Sequence, residues 1–507
     1  MTAVKTTIRN ARVLTMDAAD TEHQRATVHV EDGLISAVDP FNAQTPPGPN
    51  TREIDGAGLL LMPGLVNAHF HSSVNHLKGS LDSLPLEIFM LYESPAEGVA
   101  ADPRAAYVRT MLGALEMLKC GVTTVLDDAF FVPSPSPELI DAVMQAYADC
   151  GIRAVLALDQ PNVPEIDKLP FLGDLLPPPL RARAAAAPAM NSEGLLGCYE
   201  HLVSHWHGRE QGRLRAAVSC SAPQRVTRHY FQALDDLSRK HGLPFYIHVL
   251  ETKLQRVLGE ERFGQRSLIR YVYDEGFLSD RLNIIHGIWL DEPDMDLIAQ
   301  AGSVIAHNPI SNLRLGSGVM PFRKLRSRGI PICLGTDEAI ADDAVNMWSV
   351  AKLTGLIHNI TAVDYDLWPK APEVLDCLLR GGARAMRSPL PIGQISVGHQ
   401  ADLILVDLDT LAFTPLNDLR RQLVYCENGS SVCLTMVAGR ILYEQGAVTG
   451  VDERALRREA REHADRLQAT NASQQAAARE WLPFYREMYR RAAGRDVDMQ
   501  RWAGDVE

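Results

Sequence analysis

At 507 residues the chain is long enough for one large α/β domain with a smaller companion. It is 46% hydrophobic and 22% charged, an ordinary globular balance, and its net charge of −13 excludes the basic footprint of a nucleic-acid binder while suiting a small neutral or cationic substrate. No run of about 18 apolar residues marks a transmembrane helix, and the start, MTAVKTTIRNARVL, lacks the apolar core of a signal peptide; a cytoplasmic protein with no membrane partner is expected.

In chain order, residues 5–60 read as short strands. TTIRNARVLTM and ATVHVEDGLISAV mix apolar and polar positions around an Asp32-Gly33 turn. After His71 the character changes, and short apolar runs, the first already at 60–69, alternate with helical patterns. The runs are LLMPGLVNAH (60–69), VTTVLDD (122–128), IRAVLALD (152–159), LRAAVSCS (214–221), PFYIHVLE (244–251), LNIIHG (282–287), GSVIAHN (302–308) and IPICLGTD (330–337). Between the first two, AAYVRTMLGALEMLKCG has apolar residues at helical spacing and ends at Gly121. Buried strands alternating with helices imply a parallel sheet covered on both faces, and eight such units imply a (β/α)8 barrel.

Residues 160–200 are rich in Pro and Ala and long for a strand–helix connection; a lid over the site and a disordered surface loop remain equal readings. Residues 390–445 return to short strands, GQISVGHQADLILVDLD and SSVCLTMVAGRILYEQG. The expected organisation is an α/β protein: a (β/α)8 TIM barrel over 61–389, a composite β-sandwich from 1–60 and 390–450, and a helical extension over 451–507 that packs on the domain or on another subunit. The eight cysteines are scattered without a C-x-x-C pair, as in a reduced cytoplasmic protein.

The chemistry lies at the strand ends. In NAHFHSSVNHLKG, His69 and His71 stand two apart, so a strand points both to one side. An isolated His-X-His is more often two polar loop residues than a metal site. Here, however, the C-terminal ends of the fifth to eighth predicted strands add His248, His286, His307 and Asp337. In a parallel barrel those ends share one rim, and imidazole with carboxylate suits zinc or a similar divalent ion.

HFHSSVNHLKGSLDSLPL, IHVLETK, HNPISNLRLGSGVMP and LGTDEA together resemble the amidohydrolase superfamily, in the branch of deaminases and chlorohydrolases acting on N-heteroaromatic rings. The resemblance runs over residues 5–445. It implies one divalent metal per chain held by His69, His71, His248 and Asp337. Zinc is the first choice, although iron and manganese accept the same ligands. It implies Glu251, in an H-x-x-E spacing from His248, as the acid/base, with His286 at the developing oxyanion and Asp337 also handling protons. The fourth strand, LRAAVSCSAP, ends without Lys or Glu, which favours a mononuclear site.

The implied reaction is hydrolytic loss of an exocyclic amine from a purine, pterin, pyrimidine or s-triazine. Dechlorination or alkylamine release from a triazine-like ring is the alternative, and a non-catalytic scaffold of the same fold is the rival class. Expected substrate contacts are Glu97, Gln224, Trp289, His307 and Asn308. For His307 and Asn308 a structural role weighs equally, and Trp289 could instead be a buried packing residue. His76 is read as supporting or structural. Glu338 and Asp342-Asp343 add carboxylates after the metal Asp, which would suit an amino-rich or cationic substrate. A homodimer or larger homo-oligomer is expected.

Overall fold

The computed structural model describes residues 5–43, 50–93, 102–264 and 266–502. Its central elements are eight parallel strands: β1 (Leu65–His71), β2 (Val122–Ala129), β3 (Arg153–Leu158), β4 (Leu214–Ala216 with Val218–Ser219), β5 (Phe245–Val249), β6 (Leu282–His286), β7 (Val304–His307) and β8 (Ile332–Leu334 with Asp337–Glu338). They pair in sequence order as two five-stranded sheets. One begins at Asp337–Glu338 and runs through β1, β2 and β3 to Leu214–Ala216; the other runs from Val218–Ser219 through β5, β6 and β7 to Ile332–Leu334. The two sheets therefore meet within β4 and within β8. The strands are buried along nearly their whole length, which explains their unbroken apolar runs.

The helices between them start and stop where local chemistry dictates. Asp102 accepts the amide of Ala105 at the head of Pro103–Lys119, and Ser136 does the same for Leu139 before Pro137–Cys150. Gly151 then takes a left-handed conformation, φ 84°, that ends the second helix and turns the chain into β3.

The run at 60–69 is two strands, not one. Leu59–Pro63 pairs antiparallel with Leu403–Asp407 in a separate nine-stranded sheet, whereas Leu65–His71 pairs with β2. The Pro63-Gly64 break is where the chain passes between sheets, because proline can give no further ladder hydrogen bond. That second sheet joins both ends of the chain, with Lys5–Leu14 and Glu22–Glu31 on one side and Val432–Val437 and Arg440–Glu444 on the other. Ile8, Val13, Val28, Leu403, Leu405 and Met436 share one apolar cluster there.

A buried ion pair ties the two sheets. Arg153 of β3 donates to Asp402 through Nε (2.6 Å) and Nη2 (3.0 Å), and both residues are almost fully enclosed. Asp402→Ala strands the arginine charge, so a loss of about 3–5 kcal/mol is expected in a urea unfolding series. Asp402→Leu combined with Arg153→Met should lose less, since no charge is left unpaired.

Residues 160–200 form short helices, Glu165–Lys168, Leu172–Leu175 and Pro178–Ala184, before the helix Ser192–Trp206. The C-terminal extension is one helix of 41 residues, Glu453–Ala493. It lies across the strand-end face of its own chain. Tyr485 donates to Glu165 (3.2 Å), Arg183 to Glu480 (2.9 Å), and Lys253 to the carbonyl of Ala493 (2.7 Å). Among the described residues no helix is long and apolar enough to cross a membrane.

Candidate functional site

The C-terminal ends of β1, β5, β6 and β8 converge. His248 Nε2 lies 3.3 Å from His69 Nε2, and Asp337 Oδ1 lies 3.3 Å from His69 Nε2 and 3.4 Å from His71 Nε2. Ligands held tetrahedrally about 2.0–2.1 Å from one ion would stand roughly 3.3 Å apart. The neighbours orient these rings for that purpose. His71 Nδ1 meets the carbonyl of Asp128, and His248 Nδ1 meets the carbonyl of Ser221 at 2.9 Å. A carbonyl only accepts, so in both rings Nδ1 carries the proton and the Nε2 lone pair faces the cluster. The donor set and its spacing fit one divalent ion.

Burial is nearly complete: His69, His71, His248, Glu251, His286 and Asp337 are at most 7% exposed. Burial drives the His71 imidazole down to about 4 and that of His286 to about 3, so both stay neutral at physiological pH. Burial works against the Asp337 anion, yet the surrounding imidazoles of His69, His286 and His71 hold its carboxyl well below the usual range. Ser311 Oγ donates to its other oxygen at 2.7 Å.

Glu251 behaves oppositely. Burial, then the nearby charges of Asp337 and Glu87, push its carboxyl well above the ordinary value, which favours its protonated form. Its Oε2 lies 3.4 Å from His286 Nε2, and Ser317 Oγ donates to Oε1 at 3.3 Å. The amide nitrogens of Asn312 (2.8 Å) and Asn308 (3.3 Å) face His286 Nδ1. An amide N–H donates, so His286 keeps its proton on Nε2, aimed at Glu251 and Asp337.

The turns delivering these groups are strained. Ser221, Leu250, His286 and Asp337 all have φ between 53° and 70°, a left-handed conformation rare for side-chain-bearing residues. Such outliers cluster where geometry serves chemistry rather than folding.

The remaining candidates fall elsewhere. Asn308 contacts His286, as above. His307 turns away and meets His358, Nε2 to Nε2 at 3.1 Å, in a buried pair stacked on Phe322. Trp289 is completely enclosed; its indole N–H donates to the carbonyl of Ser317 (2.8 Å), and its ring packs against Trp502 at 5.1 Å, with no open face for a heterocycle. Gln224 is buried beside the site with Oε1 unpartnered. Glu97 lies outside the described residues. Glu338 sits with Glu93, whose carboxyl burial pushes up to about 7.

Two acids at the strand ends went unassigned from the chain pattern. Asp128, in VLDD at the end of β2, lies 3.9 Å from His248 Nδ1 and accepts from Ser219 Oγ. Asp159, just after β3, has a carboxylate oxygen within 4.8 Å of ring nitrogens of His71 and His248. Both closed quoted apolar runs, so their strand-end position was the available signal.

The His307–His358 pair carries a pH prediction. Burial lowers both imidazoles, that of His358 to about 3. The unfolded chain takes up protons near pH 6.5 that the folded one refuses. Stability is therefore present above that value and falls as pH drops from 6.5 toward 3, each such proton adding a slope of about 1.4 kcal/mol per pH unit. His358→Leu should flatten this slope in unfolding measured between pH 4 and 7.

A model of the Amidohydrolase family matches residues 60–442. A 5-methylthioadenosine/S-adenosylhomocysteine deaminase from Nitratidesulfovibrio vulgaris is 31% identical over 454 residues, covering 89% of this chain and 94% of the relative. A 5'-deoxyadenosine deaminase from Methanosarcina mazei is 29% identical, covering 91% and 98%. Among solved structures, an adenosine deaminase from Xanthomonas campestris with bound zinc superposes with a TM-score of 0.80 at 27% identity, covering 92% of this chain and 99% of that one. The zinc complex of an atrazine chlorohydrolase from Arthrobacter aurescens TC1 superposes at 0.78 with 22% identity, a likeness of fold. The family match spans all eight parallel strands and every member of the buried histidine–carboxylate cluster, and on that footing this chain belongs to the amidohydrolase family.

Proposed function

We propose that the chain is a metal-dependent deaminase that hydrolyses the exocyclic C–N bond of an amino-substituted N-heteroaromatic ring and releases ammonia, with aminopurine nucleosides as the first substrates to test. The deaminase relatives support this class, and one observation within the site carries it: a buried Glu251, its carboxyl pushed well above the ordinary value, stands beside a metal-competent cluster. A ring nitrogen is a poor electron sink until protonated, and Glu251 is the group that can protonate it.

The two parallel sheets are read as halves of one closed (β/α)8 barrel, because each gap falls within a single strand segment. The terminal sheet is read as the composite second domain. His69, His71, His248 and Asp337 would hold one divalent ion, zinc first. When bound, that ion supplies hydroxide at neutral pH by lowering the pKa of water to about 7.

The residues then divide the work. Asp337 accepts a proton from the attacking water. Water oxygen bonds to the amine-bearing ring carbon, and Glu251 gives its proton to the adjacent ring nitrogen. His286 Nε2–H donates to the oxygen on that carbon, as its fixed tautomer requires. As the C–N bond breaks, the proton held by Asp337 passes to the departing nitrogen and ammonia leaves, while the proton remaining on the new oxygen goes to the Glu251 carboxylate, which forms the carbonyl and restores the acid. Amine plus water yields the ring carbonyl and ammonia.

Ammonia release from the metal-loaded protein, measured across aminopurines, adenosine-type nucleosides, aminopterins, cytosines and amino-s-triazines, is expected to identify one ring class. Chelation should abolish it. Chloride or alkylamine release with no ammonia from any member would overturn deamination in favour of the alternative leaving groups. Absence of both turnover and stoichiometric metal would point to a scaffold.

A further inference from the structure

A cavity of about 240 Å³ lies beside the histidine cluster, not within it. Most of its walls come from the segment following β1, the helix Pro103–Lys119 and the long C-terminal helix, with Tyr92, Glu93, Phe130, Val132 and Ile340 completing them. None of the six clustered residues lines it. The nearest are Ser73, two positions past His71, and Phe130, whose ring centroid is 5.9 Å from that of His71.

The walls differ in character. Val74, Leu112 and Leu467 are apolar, whereas His76, Arg109 and His463 bring basic nitrogen. Arg109 is the unusual member. Among the described residues its guanidinium has no ion pair and no hydrogen bond, and its Nε is sealed from solvent. Burial lowers it only to about 10, so it remains a cation at neutral pH. Crowding by neighbouring groups, reinforced by Arg109 and His463, takes His76 down to about 4 although its side chain still reaches solvent, leaving it a neutral donor.

The nearby acids are otherwise engaged. Asp127 accepts from the Ser72 amide (2.9 Å) and Tyr147 hydroxyl (2.7 Å), and Asp102 caps its helix. Glu93 reaches the cavity edge, where burial weakens its charge. A half-buried cation whose Nε is sealed and unpartnered among the described residues is costly unless something anionic reaches it.

We propose that this cavity binds an amphipathic organic anion, its carboxylate, sulfonate or phosphate group on Arg109 with His76 and His463 as flanking donors, and its apolar body against Leu112 and Leu467. The anion is either a substituent of the substrate, reaching past Ser73 and Phe130, or a separate molecule.

The probe is 8-anilinonaphthalene-1-sulfonate, titrated by fluorescence into the full-length, metal-loaded protein. Saturable binding is expected, with Kd raised about tenfold or more in Arg109→Met, the loss of one charge-assisted contact. Ala464 lines the cavity from the exposed side of the C-terminal helix. Ala464→Trp fills the space without touching a charge and should abolish binding at unchanged near-ultraviolet circular dichroism. That variant decides the matter if Arg109→Met fails to fold. An unchanged Kd in Ala464→Trp, or equal affinity for the uncharged N-phenyl-1-naphthylamine, would overturn the proposal. A second readout rests on the deaminase reading: KM rising in Ala464→Trp with kcat unchanged assigns the anion to the substrate, and an unchanged KM assigns it to a separate ligand. The dye titration itself does not depend on catalysis, so failure of one reading is distinguishable from failure of the other.

Discussion

Asp337→Ala is expected to lose both bound metal and ammonia release. Asp337 is the only carboxylate among the four ligand candidates, and its Oδ1 faces His69 and His71 at 3.3 and 3.4 Å. Without it three neutral imidazoles would remain around a dication, and the acceptor for the attacking water's proton would be gone. Changing an outer-shell partner of a metal ligand typically costs about 10–100-fold in affinity or activity. Removing the ligand itself should cost more, while Ser311→Ala, which deletes only the 2.7 Å hydrogen bond to Asp337, should fall within that range. Elemental metal analysis beside the ammonia assay checks both variants. Wild-type activity in Asp337→Ala would end the proposed ligand set.

Glu251→Gln separates proton transfer from metal binding. The amide keeps the shape and the Ser317 contact but cannot deliver a proton to the ring. Metal content should stay at the wild-type level while kcat falls about 10²–10⁴-fold, the usual worth of general acid–base help. The sign of the pH dependence follows from the raised carboxyl. In the proposed mechanism Glu251 would act as the acid below its raised folded pKa and lose that role as pH climbs through it. The wild-type kcat profile should therefore have an alkaline limb that the Gln variant lacks. Retention of both the rate and that limb would remove Glu251 from the mechanism and leave the protonation of the ring to another group.

Much of the architecture was legible in local patterns. Eight apolar runs carry their own buried strands, but the passage between sheets falls at Pro63-Gly64, ahead of the change in pattern after His71. The handover at Pro63-Gly64 was harder to see, because LLMP and LVNAH run on as one stretch, both buried, and only pairing partners distinguish them. The chemistry-bearing residues stood out as types at strand ends and through the family resemblance. Asn308 was an expected contact, but that it and Asn312 set the His286 tautomer was not visible, nor was the orientation of two rings by the carbonyls of Asp128 and Ser221. A backbone carbonyl has no signature in a sequence.

His307 and Trp289 show the same limit from the other side. Both occupy positions after or at the end of strands where substrate contacts arise, yet one ring meets His358 and the other Ser317 and Trp502. Those partners lie between 28 and 213 positions away along the chain.

The order of residues along this chain was enough to specify its elements, the chain's resemblance to its family, and the kinds of group available for chemistry, because hydrophobic period, capping and His-X-His spacing are local properties. The folded chain alone decided which ring nitrogens face the cluster, which carboxyl is pushed down and which up, and that Arg109 Nε is sealed without a partner among the described residues. Those outcomes depend on burial and on charges brought together from distant segments, and Coulomb and desolvation energies are set by distance in space rather than by separation in sequence.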